Sequence, residues 1–572
     1  MSSIPRNEYP RPDFARENWM SLNGEWGFSI GSDSFDRKIT VPFACESELS
    51  GVGDTAFHPV VWYRRKFSVP KSMRDKQLLL HFGAVDYSCR VWVNGVAVKE
   101  HIGGQSSFEA NITQAVRWTE DNSLVVEVQD DPKDLEQPRG KQFWEETPRS
   151  IFYTRTTGIW QSVWLEAVDT VHLESVRITP LFDEKSVKFE YTLCTEGAAA
   201  LETTVCFGGA SITDATVRPK GGKGFFTLSL DQPAAGAWNF YEDLAWSPEN
   251  PRLFDVRFRV YQDGRCTDEV TSYFGMRKVS IENGVFLLNN RPYYQKLVLD
   301  QGYWPQSLMT APTDEAFIKD IALIKEMGFN GLRMHQKAED PRFYYHADRM
   351  GLLVWGEIGS AYIYSREYAQ RFYQEWTECV LRDYNHPCIA VWVPLNESWG
   401  IQEVGRDAMQ QAHSMAAYHI TKSLDDTRPV VDNDGWEHTC GDLLTVHDYE
   451  STAQVLHSRY SEMEHILKYT PGGKSLYARG HVYAGQPVLV SEYGGICFTG
   501  KGADGWGYSS DSDPQEYARH IAELTAELLH SSLVQGYCYT QLCDIETEQN
   551  GLLTYDRIPK VPLELIREAN RG

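Results

Sequence analysis

Two glutamates close two segments of the same design. Val391-Trp392-Val393-Pro394-Leu395-Asn396-Glu397-Ser398 is an apolar run that ends on an amide beside a carboxylate, and Pro487-Val488-Leu489-Val490-Ser491-Glu492-Tyr493-Gly494 repeats the pattern. An apolar run of this length reads as a strand buried on both faces, as in a parallel sheet. A carboxylate where such a strand stops lies at the carboxyl end of the sheet, where α/β folds keep their chemistry. Two carboxyls on one rim can work on a glycosidic bond: about 5–5.5 Å apart, one attacks the anomeric carbon while the other gives and then takes a proton. A single barrel glutamate more often serves a structural ion pair, but two at matched strand ends favour chemistry. The roles need different proton affinities from one side-chain type. Glu397, after the more apolar strand, is the candidate proton carrier; Glu492 is the candidate that stays ionised.

Positioning two such residues takes a barrel. From about residue 278 the pattern alternates strand and helix, with eight candidate strands at 297–300, 331–335, 352–357, 389–397, 429–433, 443–449, 487–493 and 535–544. This predicts a C-terminal (β/α)8 TIM barrel over 278–572, with Glu397 closing the fourth strand and Glu492 the seventh. After the first strand, Thr313-Asp314-Glu315 predicts a capped helix start, Phe317, Ile321 and Ile324 its buried face, and Gly328 its end. Two β regions precede the barrel. Residues 1–168 hold an aromatic strand after Leu22-Asn23-Gly24, a hairpin around Asn94-Gly95 and a closing strand at 158–166, predicting an N-terminal jelly-roll β-sandwich. In 169–277, Phe254, Val256, Phe258 and Val260 alternate with Asp255, Arg257 and Arg259, predicting an immunoglobulin-like β-sandwich.

Bulk properties narrow the partners. The 572 residues carry a net charge of −24, which argues against nucleic acid and anionic membranes as partners, because phosphate binding needs an excess of Lys and Arg. No uninterrupted apolar stretch reaches about 18 residues, and Met1-Ser2-Ser3-Ile4-Pro5-Arg6 has no apolar core, so neither a membrane span nor a leader is expected. Eleven cysteines without a C-x-x-C pair suit a reducing compartment, and a cytoplasmic location is expected. An aromatic share of 13% suits both large β cores and stacking on sugar faces. There is no H-E-x-x-H, and His413 and His419 are wrongly spaced for one helical face, so neither a metal nor a cofactor is expected.

The run from Asn385-His386-Pro387 through Asn396-Glu397-Ser398 resembles the acid/base signature of glycoside hydrolase family 2, which includes β-galactosidases, β-glucuronidases and β-mannosidases. Asp86-Tyr87, Val93-Asn94-Gly95 and His101-Ile102-Gly103-Gly104 resemble its N-terminal sugar-binding-like sandwich, and Trp246-Ser247-Pro248-Glu249-Asn250-Pro251 its immunoglobulin-like domain. The resemblance implies Glu397 as acid/base, Glu492 as nucleophile and Asn396 as a ligand of the sugar 2-hydroxyl. Asn330-Gly331-Leu332-Arg333-Met334-His335 resembles the second-strand motif, implying that Arg333 supports Glu492 and His335 lines the sugar pocket. Here, however, Met334-His335-Gln336-Lys337 replaces the usual Ser-His-Tyr-Pro. His447 and Tyr449 fit a tyrosine bonded to the nucleophile. Asp300 fits either a ligand for a non-reducing-end hydroxyl or a loop cap, and Trp304, Trp399, Trp436 and Tyr539 fit either pocket floor or packing. Some large β-galactosidases use Mg²⁺ through a Glu and a His, but Glu357-Ile358-Gly359 lacks that His.

Glucuronidases of the family hold the sugar carboxylate with an Asn-x-Lys pair. No Asn here is followed two residues later by Lys; the matching late-barrel region offers Arg557, and Lys501 is the other cation within reach. The expectation is a retaining exo-hydrolase of terminal β-glycosides of a neutral sugar, galactosides first. Glucuronides, mannosides and arabinosides are the alternatives, and a non-catalytic carbohydrate-binding protein is the remote one. The chain ends at Gly572, soon after the barrel, without the further C-terminal domains of the largest β-galactosidases. Members are usually dimers or tetramers, so a homo-oligomer is expected.

Overall fold

The structure is a computed structural model and describes residues 4–498 and 505–571; Lys501 lies outside the described residues. The N-terminal unit is a sandwich of a six-stranded and a four-stranded antiparallel sheet, closed over Trp26, Tyr63, Leu80, Val91, Val126 and Leu165. Its hairpin joins Ser88–Val93 to Val96–Ile102. Asn94 and Gly95 both have positive φ, 52° and 83°, as a two-residue turn matched to strand twist requires. The expected closing strand is broken in two: Gly158–Ile159 pairs with Val85–Asp86, and Val163–Val168 with Gln77–Phe82. The second unit packs a three-stranded sheet on a four-stranded one. In its strand Phe254–Gln262 the four predicted apolar residues all face the core, with Asp255 and Arg257 exposed.

The barrel sheet is parallel and curls through seven strands. In spatial order they are Ile389–Val393, Leu353–Glu357, Gly331–Met334, Gln295–Asp300, Val534–Thr540, Val488–Gly494 and Leu444–Asp448. The predicted fifth strand, 429–433, occupies the gap between the two ends but forms no continuous ladder. It touches the fourth strand through isolated bridges, Val430 with Trp392 and Asp434 with Asn396. The reason is local. Pro429 has no N–H to give, and side chains take the donors that a ladder would use. The Asp442 carboxylate receives the Val430 N–H, and Asp432 receives those of Thr439 and Cys440.

The fourth strand also ends earlier than expected, at Val393, because Pro394 interrupts it. Glu397 therefore sits on the turn beyond the strand. The helix Asp314–Glu326 buries Phe317, Ile321 and Ile324 as predicted, but Thr313 makes no side-chain cap. The carboxylate of Asp314 instead binds Arg342 and His346.

One excursion of the N-terminal sandwich, 131–157, lies on the barrel mouth. The N–H groups of Arg139 and Gly140 donate to Ser360 O at 3.2 and 3.0 Å, and the Thr154 N–H reaches Glu546 at 3.0 Å. Gly140, with φ 59°, fits because it has no side chain: a Cβ would sit 2.5 Å from Gln336 O.

Candidate active site

Register and turn geometry bring the chemistry together. His447 lies directly across from Glu492 on adjacent parallel strands, and Arg333, near the end of the second strand, reaches over the mouth to both. Glu397 and Ser398 adopt left-handed φ of 53° and 58°, a conformation costing about 1–2 kcal/mol for a residue with a side chain. The irregular fifth segment holds them there. The Glu397 N–H donates to Asp434 O and the Ser398 N–H to Asn433 Oδ1, each at 2.9 Å. Gly435 (φ 98°) clears space for His447, whose ring would lie 2.7 Å from any Cβ there. The strain aims the Glu397 carboxyl across the mouth, where it keeps 15% of its side-chain surface exposed.

One oxygen from each of Glu397 and Glu492, together with a His447 nitrogen, lie within 4.8 Å of one another. Nδ1 of His447 is 2.7 Å from Glu397 and 3.4 Å from Glu492, and Nε2 is 2.8 Å from Asp434. Burial disfavours the charged ring, but Glu492 and Asp434 outweigh it and raise His447 to about 10. The buried Arg333 guanidinium contacts Glu357 at 2.8 Å, Asp434 at 2.6 Å and Glu492 at 3.2 Å, and donates to Ser491 O at 2.8 Å. Arg333 and His447 hold Asp434 far below the usual carboxylate range in spite of its burial. Tyr449 donates to Glu492 and, at 3.2 Å, to Thr540 Oγ1.

Arg333 Nη2 also donates to Asn396 Oδ1 at 3.1 Å. That fixes the amide with Nδ2 buried and without a protein partner. A buried unpaired donor is costly unless a ligand satisfies it. His335 is buried beside Glu492, its Nε2 3.6 Å away and unpartnered, with Nδ1 3.3 Å from Gln301. Burial, then Arg333, pushes it well below its usual range, so it is neutral.

Other expected residues divide. Asp300 accepts the Gly302 N–H at 2.9 Å, the loop cap of the two readings. Trp436 stands edge-on to His447, 5.5 Å between centroids, with its indole N–H free. Trp399 joins Phe152 and Tyr362 in an aromatic cluster at the mouth. Trp304 and Tyr539 pack in the barrel core. Glu397, His447 and Glu492 could converge on a cation, but both imidazole nitrogens already bond carboxylates.

Sequence reasoning missed Asp434, Glu357 as a partner of Arg333, and Lys141. Asp434 carried a readable signal, an acid at the end of a predicted strand. Lys141 carried none, because it comes from another domain.

The family model for the TIM barrel domain of glycosyl hydrolases family 2 matches residues 279–571, one described simply as glycosyl hydrolases family 2 matches 171–277, and that for the family's sugar binding domain matches 52–166. A β-galactosidase of Thermoanaerobacter pseudethanolicus is 26% identical over 69% of this chain. A Felis catus β-glucuronidase is 25% identical over 98% of it. The chain spans about half of the galactosidase (52%) and 91% of the glucuronidase. A Dictyoglomus thermophilum β-D-glucuronidase structure superposes with a TM-score of 0.80 at 19% identity, covering 99% of this chain and 98% of the other. With the three domain models laid end to end along the described fold, the chain belongs to glycosyl hydrolases family 2.

Proposed function

We propose that the chain is a retaining exo-β-glycosidase acting on terminal non-reducing sugars, with Glu492 as nucleophile and Glu397 as acid/base. The observation that carries this reading is the pair of facing carboxyls within 4.8 Å. That spacing leaves no room for a water to attack from the opposite face, so the direct attack of double displacement is favoured. Asn396 supports it. Its free Nδ2 can donate to the sugar 2-hydroxyl, a bond that strengthens as the oxocarbenium-like state forms.

The proton affinities in the empty site run against a simple assignment. Burial raises the Glu397 carboxyl, but the His447 hydrogen bond and charge leave it below its usual value. Burial leaves Glu492 raised, even with His447 and Arg333 pulling down. The transferable proton therefore belongs to the Glu397–His447 pair, joined at 2.7 Å. As the leaving oxygen gains charge, the imidazolium passes its proton to Glu397, which delivers it to that oxygen and is left a carboxylate beside a neutral imidazole. Arg333 and Tyr449 hold Glu492 ionised for attack. Once Glu492 is esterified its charge is gone, so Glu397 becomes still easier to ionise and acts as base on the incoming water.

The neutral galactoside expected from sequence rests on the missing Asn-x-Lys pair. Lys141, carried by the sandwich excursion over the mouth with its Nζ 5.0 Å above the Trp399 ring, is a cation left out of that expectation. The relatives divide between β-galactosidase and β-glucuronidase. The eleven unpaired cysteines suit the cytoplasm. No helix among the described residues is long and apolar enough to cross a membrane. The homo-oligomer implied by the resemblance stays part of the proposal, and light scattering measures it.

Azide tests the roles. Glu492→Gly with azide yields the α-glycosyl azide and Glu397→Gly the β-azide; exchanged products mean exchanged roles. No turnover of any nitrophenyl β-glycoside by the parent chain would sink the hydrolase reading.

A further inference from the structure

Most cations around the mouth are already committed. Arg333 and His447 hold the catalytic carboxyls. Lys337 pairs with Glu339 and donates to Gly302 O and Met309 O. Arg557, the late-barrel cation of the sequence reading, pairs with Asp320 at 3.1 Å. Lys141 is different. It is only 8% exposed, yet among the described residues its Nζ has neither a hydrogen-bond acceptor nor a carboxylate at ion-pair distance. Its neighbour Arg139, by contrast, donates to Pro132 O and Asp131 O, with Nε unpaired, and Gln142 bonds Asp86 and the Thr156 N–H. The Nζ stands 5.0 Å over the ring of Trp399, two residues beyond Glu397. Its backbone is pinned: Gly140 abuts Gln336 O and Gly359, and the Tyr153 N–H donates to Lys141 O at 2.9 Å.

The ammonium acts on the carboxyls of Glu397 and Glu548 only at longer range, so its own direct contacts are free for an anion that enters the mouth. Trp399 and Glu397 fix where that anion would go, inside the mouth. Glu548, just before the late-barrel run 550–557 that the resemblance matches to the Asn-x-Lys region, is near enough to feel its charge. Glu548 does not neutralise the lysine: it accepts from Tyr153 and Asn550, and burial keeps its carboxyl raised against the pull of Lys141.

We propose that Lys141, lent by the N-terminal sandwich, binds a carboxylate on the sugar itself, so that the substrate is a β-linked uronide. This inference rests on the glycosidase reading above. A neutral sugar would leave the ammonium facing a hydroxymethyl group, which offers it a weaker hydrogen bond and no charge.

The test compares kcat/KM for 4-nitrophenyl β-D-glucuronide and β-D-galacturonide with the matching glucoside and galactoside. The wild type is expected to favour one uronide over its matched hexoside by at least about 100-fold. Lys141→Met collapses that ratio, mainly through KM, whereas Lys141→Arg keeps it within about tenfold, because a guanidinium can still pair the carboxylate. A wild type that prefers the hexoside, or a Lys141→Met variant that lowers both substrates equally, overturns the inference and leaves the hydrolase reading standing. If all four glycosides are inert, this inference is overturned, and the hydrolase reading falls with it only if no other nitrophenyl β-glycoside is turned over. Should Lys141→Met fail to fold, competition on the wild type decides. Free glucuronate or galacturonate must inhibit more strongly than glucose or galactose, and salt must weaken that inhibition; equal or weaker inhibition overturns it.

Discussion

Two places in the molecule bury carboxylates, and they treat them in opposite ways. At the barrel mouth Glu357, Asp434, Glu397 and Glu492 interleave with Arg333 and His447, so charge meets charge. At the seam where the sandwich hairpin docks on the barrel helix Arg366–Asp383, Asp86 and Glu375 face neutral partners. Asp86 accepts from Gln142 at 2.8 Å, and Glu375 takes the Gln105 N–H at 2.6 Å with its other oxygen unpartnered. Burial raises Asp86 well above its usual range and Glu375 to about 8. The seam acids are thus held as neutral packing groups. At the mouth the acids are divided: His447 and Arg333 pull Glu397 and Asp434 below their usual values, while burial leaves Glu357 at about 7 and Glu492 raised in spite of Arg333. Chemistry can use such a spread of proton affinities and packing cannot.

Removing the reactive charges gives the largest effect. Glu492→Gln, nearly isosteric, is expected to lower kcat by about 10⁴-fold or more, and Glu397→Gln by about 10²–10⁴-fold with a nitrophenyl leaving group. Stopped assays on folded protein, checked by circular dichroism, measure both.

Removing the cation that organises the mouth comes next. Arg333→Met strands Glu357, Asp434 and Glu492, and is expected to cost about 3–5 kcal/mol of unfolding free energy along with activity. Denaturant titration reads it. A loss below 1 kcal/mol would mean that the mouth, like the seam, can hold its acids neutral.

His447→Gln sharpens the contrast through pH. The raised folded value of His447, about 10, lies above its ordinary 6.5, so its stabilisation is complete below about 6.5 and is lost as pH rises through the folded value. With glutamine the proton rests on Glu397 alone. The alkaline limb of kcat/KM should then move down by at least about one pH unit, with kcat reduced by about 10²-fold. An unmoved limb would detach His447 from the proton transfer.

The seam gives the smallest effect. Glu375, raised above its ordinary 4.5 to about 8, contributes stability below about 4.5 that is lost as pH rises through the folded value. Glu375→Gln keeps the acceptor and removes the charge, so it should raise Tm by roughly 2–4 °C at pH 9 and change little at pH 4. Equal Tm at both pH values would show that the seam tolerates the ion.

The sequence made this contrast only half visible. Parallel strands buried on both faces write themselves as apolar runs, so the two glutamates and the three-domain order could be read directly. Asn94-Gly95 announced its hairpin because few pairs tolerate two positive φ angles. The fifth barrel segment was readable as a strand but not as an irregular one, because the side chains of Asp432 and Asp442 bond backbone N–H groups across the loop that follows it, and apolar periodicity carries no sign of those bonds. Thr313 had the type of a cap, yet a tertiary pull on Asp314 from Arg342 and His346 took over that helix start. Lys141 had no signal at all. Its meaning depends on which loop of one domain lies over the mouth of another, and local pattern does not encode that.

The proposed mechanism turns on Glu492 forming a bond with the sugar. The most direct measurement is peptide mass spectrometry after incubation with the 2-deoxy-2-fluoro glycosyl fluoride of whichever sugar the chain hydrolyses. One glycosyl mass on the peptide carrying Ser491-Glu492-Tyr493, absent in Glu492→Gln, is the expected result. A label on Glu397, or turnover with inversion and no trapped adduct, would contradict it.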